Sequence, residues 1–156
     1  NIEGNALLQI ENEGSAFESI LISENDISNT IIKDKVIETE EIEKGKSFTL
    51  NDILYESNSS KLKEASKIVL DGFIDWLKKS KEINIEIQGH TDDIGPDIAN
   101  LALSMDRAFS VMEYLLNNGI EKDRLRFKGY GETNPKTPNT TTKSRAINRR
   151  TDFLIF

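Results

Sequence analysis

The chain has 156 residues, of which 37 % are hydrophobic and 30 % are charged, and its formal net charge is −7. This length fits one domain, or one domain with a small appendage, and the composition differs from that of a disordered chain. No apolar run is long enough to span a membrane, and the absence of cysteine excludes disulfides.

The first 45 residues form a distinct acidic segment with 11 acids and 3 bases. Short apolar runs at residues 7–10, 20–22, 31–32 and 36–37 alternate with acidic, Asn- and Gly-rich breaks, a pattern that predicts several short β-strands. So short a segment is too small for an independent sandwich. We therefore expect residues 1–45 to be a β-rich extension, or the tail of an upstream β domain, and residues 46–156 to be the main domain.

The first half of the main domain predicts a strand region, a helix and a second strand. The strand region covers residues 48–55, and a loop at 57–60 offers an N-cap to a helix over residues 61–80. At residues 83–87 isoleucine alternates with polar residues, which is typical of a strand with one face toward solvent or a polar neighbour.

The second half begins with a predicted helix over residues 98–117, which ends at Asn118 and Gly119. Its predicted buried stripe consists of Leu101, Met105, Ala108, Met112, Leu115 and Leu116. A strand at 125–128, a long polar loop, a short helix at 143–148 and a closing strand at 151–156 follow. The order β-α-β-α-β-(α)-β predicts an α/β fold, a two-layer sandwich of helices on a mixed β-sheet.

The loop between the second strand and the second helix carries a candidate binding site. Asp92 lies in this loop, where its carboxylate suits an ammonium group, and the guanidinium of Arg107 suits a carboxylate. Asn100, Ser104 and Arg107 share one face of the helix, which we expect to face Asp92. The spacing predicts a partly paired Asp92 and Arg107 that exchange their contact for a zwitterionic ligand such as an amino-acid head group.

The sequence around this loop does not match the pattern of a catalytic or metal site. His90 is the single histidine of the chain, and no Ser or Cys signature of a nucleophile and no metal-ligand spacing accompanies it. We therefore predict no enzyme activity, no metal and no cofactor. His90 is expected to hydrogen-bond the loop, Tyr130 to be a packed loop aromatic or to stack on sugar, and Arg150 to face solvent or cap the sheet.

Several spaced motifs resemble one family. These are G-H-T-D-x-x-G at residues 89–95, N-x-x-L-S-x-x-R-A at 100–108 and N-R-R at 148–150. In this order they resemble the OmpA-like peptidoglycan-binding domain over residues 46–156, and several agreeing elements are more specific than one short motif. The resemblance implies the same fold.

The resemblance also assigns roles to residues. It implies that Asp92 and Arg107 hold the diaminopimelate residue of the peptidoglycan stem peptide. Arg149 is associated with the site, although a salt bridge within the domain, to Asp92 or the C-terminal loop, is the competing interpretation. Thr91, Asn100 and Leu101 correspond to further pocket positions.

The implied function is non-covalent binding of peptidoglycan, which anchors an outer-membrane or envelope protein to the cell wall. The resemblance also implies a location in the periplasm, with attachment to the outer membrane through a longer parent protein. The chain begins at Asn1 without a signal peptide, so we expect it to be a fragment of such a parent. The alternative is a protein-docking module of an envelope or motor complex that does not bind the wall. In either case other envelope proteins are candidate partners.

Two further classes of function are disfavoured. Residues 121–156 carry 9 bases and 4 acids, but the bases are scattered and the whole chain is acidic, so we predict no nucleic-acid partner. A wall hydrolase needs paired carboxylates or a zinc set, whereas Asp92 and Asp93 are sequence neighbours whose side chains should point apart.

Overall fold

The computed structural model describes residues 44–156 in full and the backbone of four short strands before them. Strand β1 (Ala6–Leu8) pairs antiparallel with β2 (Ile20–Ile22), and β3 (Thr30–Lys33) pairs antiparallel with β4 (Val36–Thr39). The short strands predicted in the acidic segment are therefore confirmed. The division into an extension and a main domain at residue 45 stays a prediction.

The rest of the chain forms one sheet with helices between its strands. In chain order the elements are β5 (Ser47–Thr49), α1 (Glu64–Lys79), β6 (Ile85–Gly89), α2 (Asp97–Asn117), a 3-10 turn (Lys122–Arg124), β7 (Leu125–Gly129), α3 (Thr142–Asn148) and β8 (Thr151–Ile155). The strand order is β5-β8-β6-β7, with β6 and β7 parallel and the other pairs antiparallel. This confirms the predicted mixed sheet and order of elements.

The core lies between the sheet and the helices α1 and α2. Phe73 of α1 contacts Phe153 of β8, with ring centroids 4.9 Å apart. The largest fully buried apolar side chains are Leu70, Phe73, Leu77, Ile85, Ile87, Val111, Leu115 and Phe153. Removal of this apolar surface from water is the main stabilising contribution to the fold.

Strand β6 is an interior strand, buried on both sides. Its isoleucines face the helices, and Glu86 lies on the other face, where it is also buried. The Glu86 carboxylate forms an ion pair of 2.6 Å with the Nε of Arg126 on β7. The sequence predicted that this face of the strand is toward solvent or toward a polar neighbour. At Glu86 the structure shows a polar neighbour.

The buried face of α2 differs from the prediction. Ala108, Met112 and Leu115 are buried as expected, but Leu101 and Met105 are exposed. The buried positions in the first half of α2 are instead Asn100 and Ser104. The predicted buried stripe was wrong in this half of α2 because the buried face had been assigned from the positions of apolar residues alone.

Glycines of the sheet explain the change of phase. A Cβ on Gly129 would lie 2.5 Å from the backbone nitrogen of Met105, and one on Gly89 would overlap the carbonyl of Ser104. The backbone of α2 therefore rests directly on these strand ends, where there is room only for short side chains. The Ser104 hydroxyl fits, since its Oγ accepts a hydrogen bond from the backbone nitrogen of Gly131 at 2.8 Å.

The connection into α1 also differs from the prediction. Strand β5 ends at Thr49, and Tyr55 forms only an isolated bridge with Leu62. The N-cap of α1 is Lys63, which makes no side-chain cap, so the cap expected from residues 57–60 was wrong. The chain stays extended to this point because Lys63 donates its backbone N–H to the carbonyl of Leu54.

Within the part of the chain that is described, no helix combines the length and the apolar character needed to cross a membrane.

Candidate ligand-binding site

The candidate site lies where β6 ends and α2 begins, with the end of α3 beside it. The loop after β6 is fixed by backbone bonds to two neighbouring segments. His90 donates its N–H to the carbonyl of Arg150 at 3.0 Å, and Thr91 donates to the carbonyl of Gly131 at 2.9 Å. These bonds hold the following residue, Asp92, in a defined position.

Asp92 is buried and accepts two hydrogen bonds. Its Oδ1 accepts from the backbone nitrogen of Ile94 at 3.0 Å, and its Oδ2 accepts from Nη1 of Arg149 at 2.6 Å. The Thr91 hydroxyl donates to the carbonyl of Asp92 at 2.9 Å. Both carboxylate oxygens are thus occupied in the free protein.

Arg149 provides the ion-pair partner of Asp92. It follows directly after α3, and its side chain is 44 % exposed, compared with 10 % for Asp92. The internal salt bridge that competed with ligand contact in the sequence interpretation is therefore formed. Since the guanidinium remains accessible, formation of this bridge still leaves Arg149 reachable by a ligand.

Arg107 is held by a different set of groups. Its Nε donates to the carbonyl of Ser59 at 3.0 Å, and its guanidinium lies over the ring of Tyr55, 4.9 Å from the centroid. Burial lowers the pKa of Arg107, although an arginine remains protonated at neutral pH. The expected partial pairing with Asp92 was wrong, because the Asp92 ion pair is made with Arg149.

Asn100 connects α2 to the loop. Its Nδ2 donates to the carbonyl of Asp92 at 3.3 Å and to Oε2 of Glu132 at 2.7 Å. The neighbouring Leu101 is 45 % exposed. The structure thus joins Thr91, Asp92, Asn100 and Arg149 by direct contacts. Arg107 and Leu101 form no hydrogen bond or ion pair with Asp92 in the described part of the chain.

The arrangement combines one carboxylate with two guanidinium groups. The other two charged groups both act on Arg107: the Arg149 guanidinium lowers the pKa of Arg107, and the Asp92 carboxylate raises it. Among residues 44–156 and the four short strands, no cluster of His, Asp and Glu is suited to hold a metal ion. Such a site can bind a ligand that carries both an ammonium and a carboxylate.

Comparison with known proteins identifies the family. A family model described as the OmpA family matches residues 54–149, which is more than half of the chain. The chain belongs to the OmpA family.

Two curated relatives show the extent of this match. Outer membrane porin F of Pseudomonas aeruginosa is 37 % identical over 105 residues, which are 67 % of this chain and 30 % of that protein. Outer membrane protein A of Escherichia fergusonii is 40 % identical over 106 residues, covering 65 % of this chain and 44 % of that protein. The chain therefore spans less than half the length of both relatives.

Solved structures of the OmpA family share the fold. The periplasmic domain of Helicobacter pylori MotB is 27 % identical with a TM-score of 0.64, covering 74 % of this chain and 75 % of that one. The peptidoglycan-associated lipoprotein of Burkholderia pseudomallei is 27 % identical with a TM-score of 0.60, covering 70 % and 89 %. The mixed α/β architecture of this chain is thus that of its OmpA-family relatives.

Three residues around the site of this OmpA-family domain escaped the sequence prediction. They are Tyr55 and Ser59, which hold Arg107, and Glu132, which bonds Asn100. Ser59 contacts Arg107 through its backbone carbonyl, and a sequence motif of side chains cannot predict a contact of this kind. Glu132 lies in the long polar loop after β7, for which the sequence predicted no contact with Asn100.

His90 does not form the side-chain hydrogen bonds that the sequence predicted. Both ring nitrogens are buried without a hydrogen-bond partner among the described residues, although Nε2 lies 3.4 Å from Oδ2 of Asp152. The ring stacks on Tyr130, with centroids 5.2 Å apart. The pKa of His90 is lowered to about 4, mainly by burial and then by Arg150 and Lys136, while Asp152 acts in the opposite direction. His90 is therefore a neutral packed residue at neutral pH.

Arg150 also differs from its expected place. Its Nε donates to Oδ2 of Asp152 at 2.9 Å, its Nη2 donates to the carbonyl of Asn134, and its side chain is only 9 % exposed. The first of the two expectations, that Arg150 faces solvent, was wrong, and the second, that it caps the sheet, stays a prediction. Arg149 and Arg150 are neighbours in sequence, but the first pairs with Asp92 and the second with Asp152.

Proposed function

We propose that this OmpA-family domain binds the diaminopimelate-containing stem peptide of peptidoglycan without chemical reaction and anchors an envelope protein to the cell wall. The observation that carries the proposal is the state of Arg107. Its Nε is fixed by Ser59, whereas neither terminal nitrogen bonds a group in residues 44–156. A preoriented guanidinium with a free pair of donors suits a carboxylate.

The chemistry of diaminopimelate matches the charges of the site. The free end of its side chain carries an ammonium and a carboxylate on the same carbon. We infer that the carboxylate binds Arg107, while the ammonium takes the place of Arg149 at Asp92. Hydrogen bonds between charged groups contribute about 1.5–3 kcal/mol each.

The identities of the relatives support the location. One solved relative is named a peptidoglycan-associated lipoprotein, another is a periplasmic domain, and the curated relatives are outer membrane proteins. We therefore propose that the domain works in the periplasm and that its parent protein is attached to the outer membrane. Other envelope proteins are proposed as further partners.

The test is co-sedimentation of the purified chain with insoluble peptidoglycan of the diaminopimelate type. We expect the wild type to be retained and Arg107→Ala to lose at least about tenfold in affinity, or about 1.4 kcal/mol. Lys122→Ala, which removes an exposed base of the 3-10 turn, is the matched control and should bind normally. Circular dichroism of each variant shows whether the fold is intact.

A second comparison tests the diaminopimelate group itself. Peptidoglycan of the lysine type lacks the side-chain carboxylate that Arg107 is proposed to bind, so we expect it to retain much less protein. Equal retention of wild type and Arg107→Ala would place the binding surface elsewhere. No retention of the wild type on either wall would favour the alternative, a protein-docking module that does not bind the wall.

A further inference from the structure

A row of exposed apolar side chains runs along α2 to the sheet edge. Ile98, Leu101, Met105 and Phe109 are spaced by three or four residues and therefore lie on one side of the helix. The ring of Phe109 contacts that of Phe127 on β7, with centroids 5.2 Å apart. We call these five residues the apolar stripe.

The apolar stripe is beside the core and not part of it. Ile98 is 85 % exposed, and Leu101, Met105 and Phe109 are 44–45 % exposed, whereas Ala108 and Leu115 of the same helix are fully buried. Single exposed apolar residues are common on soluble proteins, but a contiguous row is typical of an interaction surface.

Two carboxylates border the apolar stripe. Asp106 and Glu113 are exposed and seven residues apart, and helical spacing places them next to the stripe on the side away from the core. Neither forms an ion pair among the residues that the structure describes. The surface therefore offers an apolar row with unpaired negative charge along one border.

We propose that the apolar stripe is a docking site for an amphipathic helix of a partner protein, with lysine or arginine beside its apolar face. Such a helix buries its apolar side chains at spacings of three and four against the stripe. Its basic residues pair with Asp106 and Glu113, which gives the contact its specificity.

Charge decides between this partner and two other occupants. Antiparallel stacking of α2 on α2 from a second copy of the chain brings Asp106 and Glu113 against the same acids, and like charges repel. The first 45 residues of this chain carry 11 acids and 3 bases, so they meet the same repulsion. A basic partner helix removes the conflict.

This inference does not depend on the proposed peptidoglycan site. Helical spacing places Arg107 on the far side of α2 from Met105 and Phe109, and its Nε is bonded to Ser59. Leu101 is the one residue shared by the apolar stripe and the predicted pocket, so the variants below leave it unchanged. Failure of one proposal is thus distinguishable from failure of the other.

The experiment uses the full chain and two stapled synthetic helices. Both carry leucine on one face, and the borders of that face carry lysine in one peptide and glutamate in the other. We expect the lysine peptide to bind at least about tenfold more tightly by calorimetry. The double variant Met105→Gln/Phe109→Gln should weaken its binding by a similar factor, while Arg107→Ala should leave it unchanged.

Charge reversal gives the sharper test. The double variant Asp106→Lys/Glu113→Lys should now prefer the glutamate peptide, and circular dichroism confirms that both double variants remain folded. The proposal would be overturned if the lysine peptide did not bind, or if neither double variant changed its affinity. Light scattering could instead show that the wild type is a dimer and that Met105→Gln/Phe109→Gln is a monomer. That result would overturn the proposal in favour of a second copy of the chain as the occupant.

Discussion

Arg107 owes its orientation to Tyr55 as much as to hydrogen bonding. The Tyr55 hydroxyl lies 2.8 Å from Oγ1 of Thr151 and donates to the carbonyl of Arg107 at 3.3 Å. Burial raises the pKa of Tyr55 to about 12, against the lowering effects of Thr151 and Arg107, so the ring stays neutral. A neutral aromatic face attracts the guanidinium above it.

Tyr55 is proposed to act on ligand binding only through Arg107. Replacement of Tyr55 should therefore weaken the binding of peptidoglycan. We expect Tyr55→Leu to lose about 1 kcal/mol of affinity for diaminopimelate peptidoglycan, roughly fivefold, because the cation–π contact is gone. Tyr55→Phe keeps the ring and should retain most of this affinity. Equal binding by all three proteins, measured by co-sedimentation after a check of folding, would show that the ring does not position Arg107.

The neutral state of His90 makes stability depend on pH. Its pKa is about 4 in the folded protein and near the ordinary value of 6.5 in the unfolded chain. Between these values the unfolded state binds more protons, so stability is full above about pH 6.5 and falls as the pH drops toward 4. The charged groups around the ring are Arg150, Lys136 and Asp152.

We expect this effect to destabilise the wild type by about 3 kcal/mol between pH 6.5 and pH 4. Urea unfolding at several pH values, with His90→Gln as the comparison, isolates the histidine from the carboxylates that also titrate there. The variant should lose less stability over this range. Parallel curves for the two proteins would mean that the pKa of His90 is the same in the folded and unfolded states.

Among single residues, the sequence predicted charges better than contacts. The motif placed Asp92 and Arg149 in one region, and they do meet, but it paired Asp92 with Arg107. Contacts through backbone atoms, such as that of the Ser59 carbonyl with Arg107, leave no trace in side-chain patterns. Whether the predicted residues bind a ligand stays a prediction.

At the scale of elements, Arg124 ties the end of α1 to the sheet. Its Nη2 donates to the carbonyls of Leu77 and Ser80, both at 2.9 Å, and its Nε donates to the carbonyl of Ile83 at 3.0 Å. The last carbonyls of a helix have no partner within the helix, so a buried cation there is stabilising.

Loss of this clamp should lower stability but not binding. We expect Arg124→Ala to reduce the free energy of unfolding by about 2–3 kcal/mol, because buried carbonyls lose charged donors. Arg124→Lys, which keeps the charge but not the three-way geometry, should fall between. Urea unfolding measures both, and an unchanged midpoint for Arg124→Ala would show that water replaces the guanidinium.

The order of elements was predictable because strands and helices have different apolar periods. The phase of α2 was not, because Gly89 and Gly129 decide it through the space they leave rather than through hydrophobicity. The start of α1 was also missed, since a backbone bond from Lys63 to Leu54 overrides the preference of serine for helix caps.

At the scale of the whole molecule, ligand binding and folding are linked. A ligand that binds only the folded state stabilises it, by about 2.7 kcal/mol at a concentration of 100 Kd. We expect a soluble diaminopimelate-containing stem peptide to raise the Tm of the wild type in a concentration-dependent manner. Arg107→Ala should show a clearly smaller rise at the same peptide concentration, and an equal rise in both would mean that the peptide stabilises another surface.

Sheet order has a mechanical consequence for an anchor. Arg149 lies two residues before β8 and Asp92 lies three residues after β6, and these are the two interior strands of the sheet β5-β8-β6-β7. Tension on a ligand that binds Asp92, as proposed, would pass through the loop into β6, which has five paired positions with β8 and five with β7. Because ladder bonds run between strands rather than along them, a pull along β6 would load both ladders in shear at once. The edge strand β7, with a single ladder to β6, would instead yield along one side.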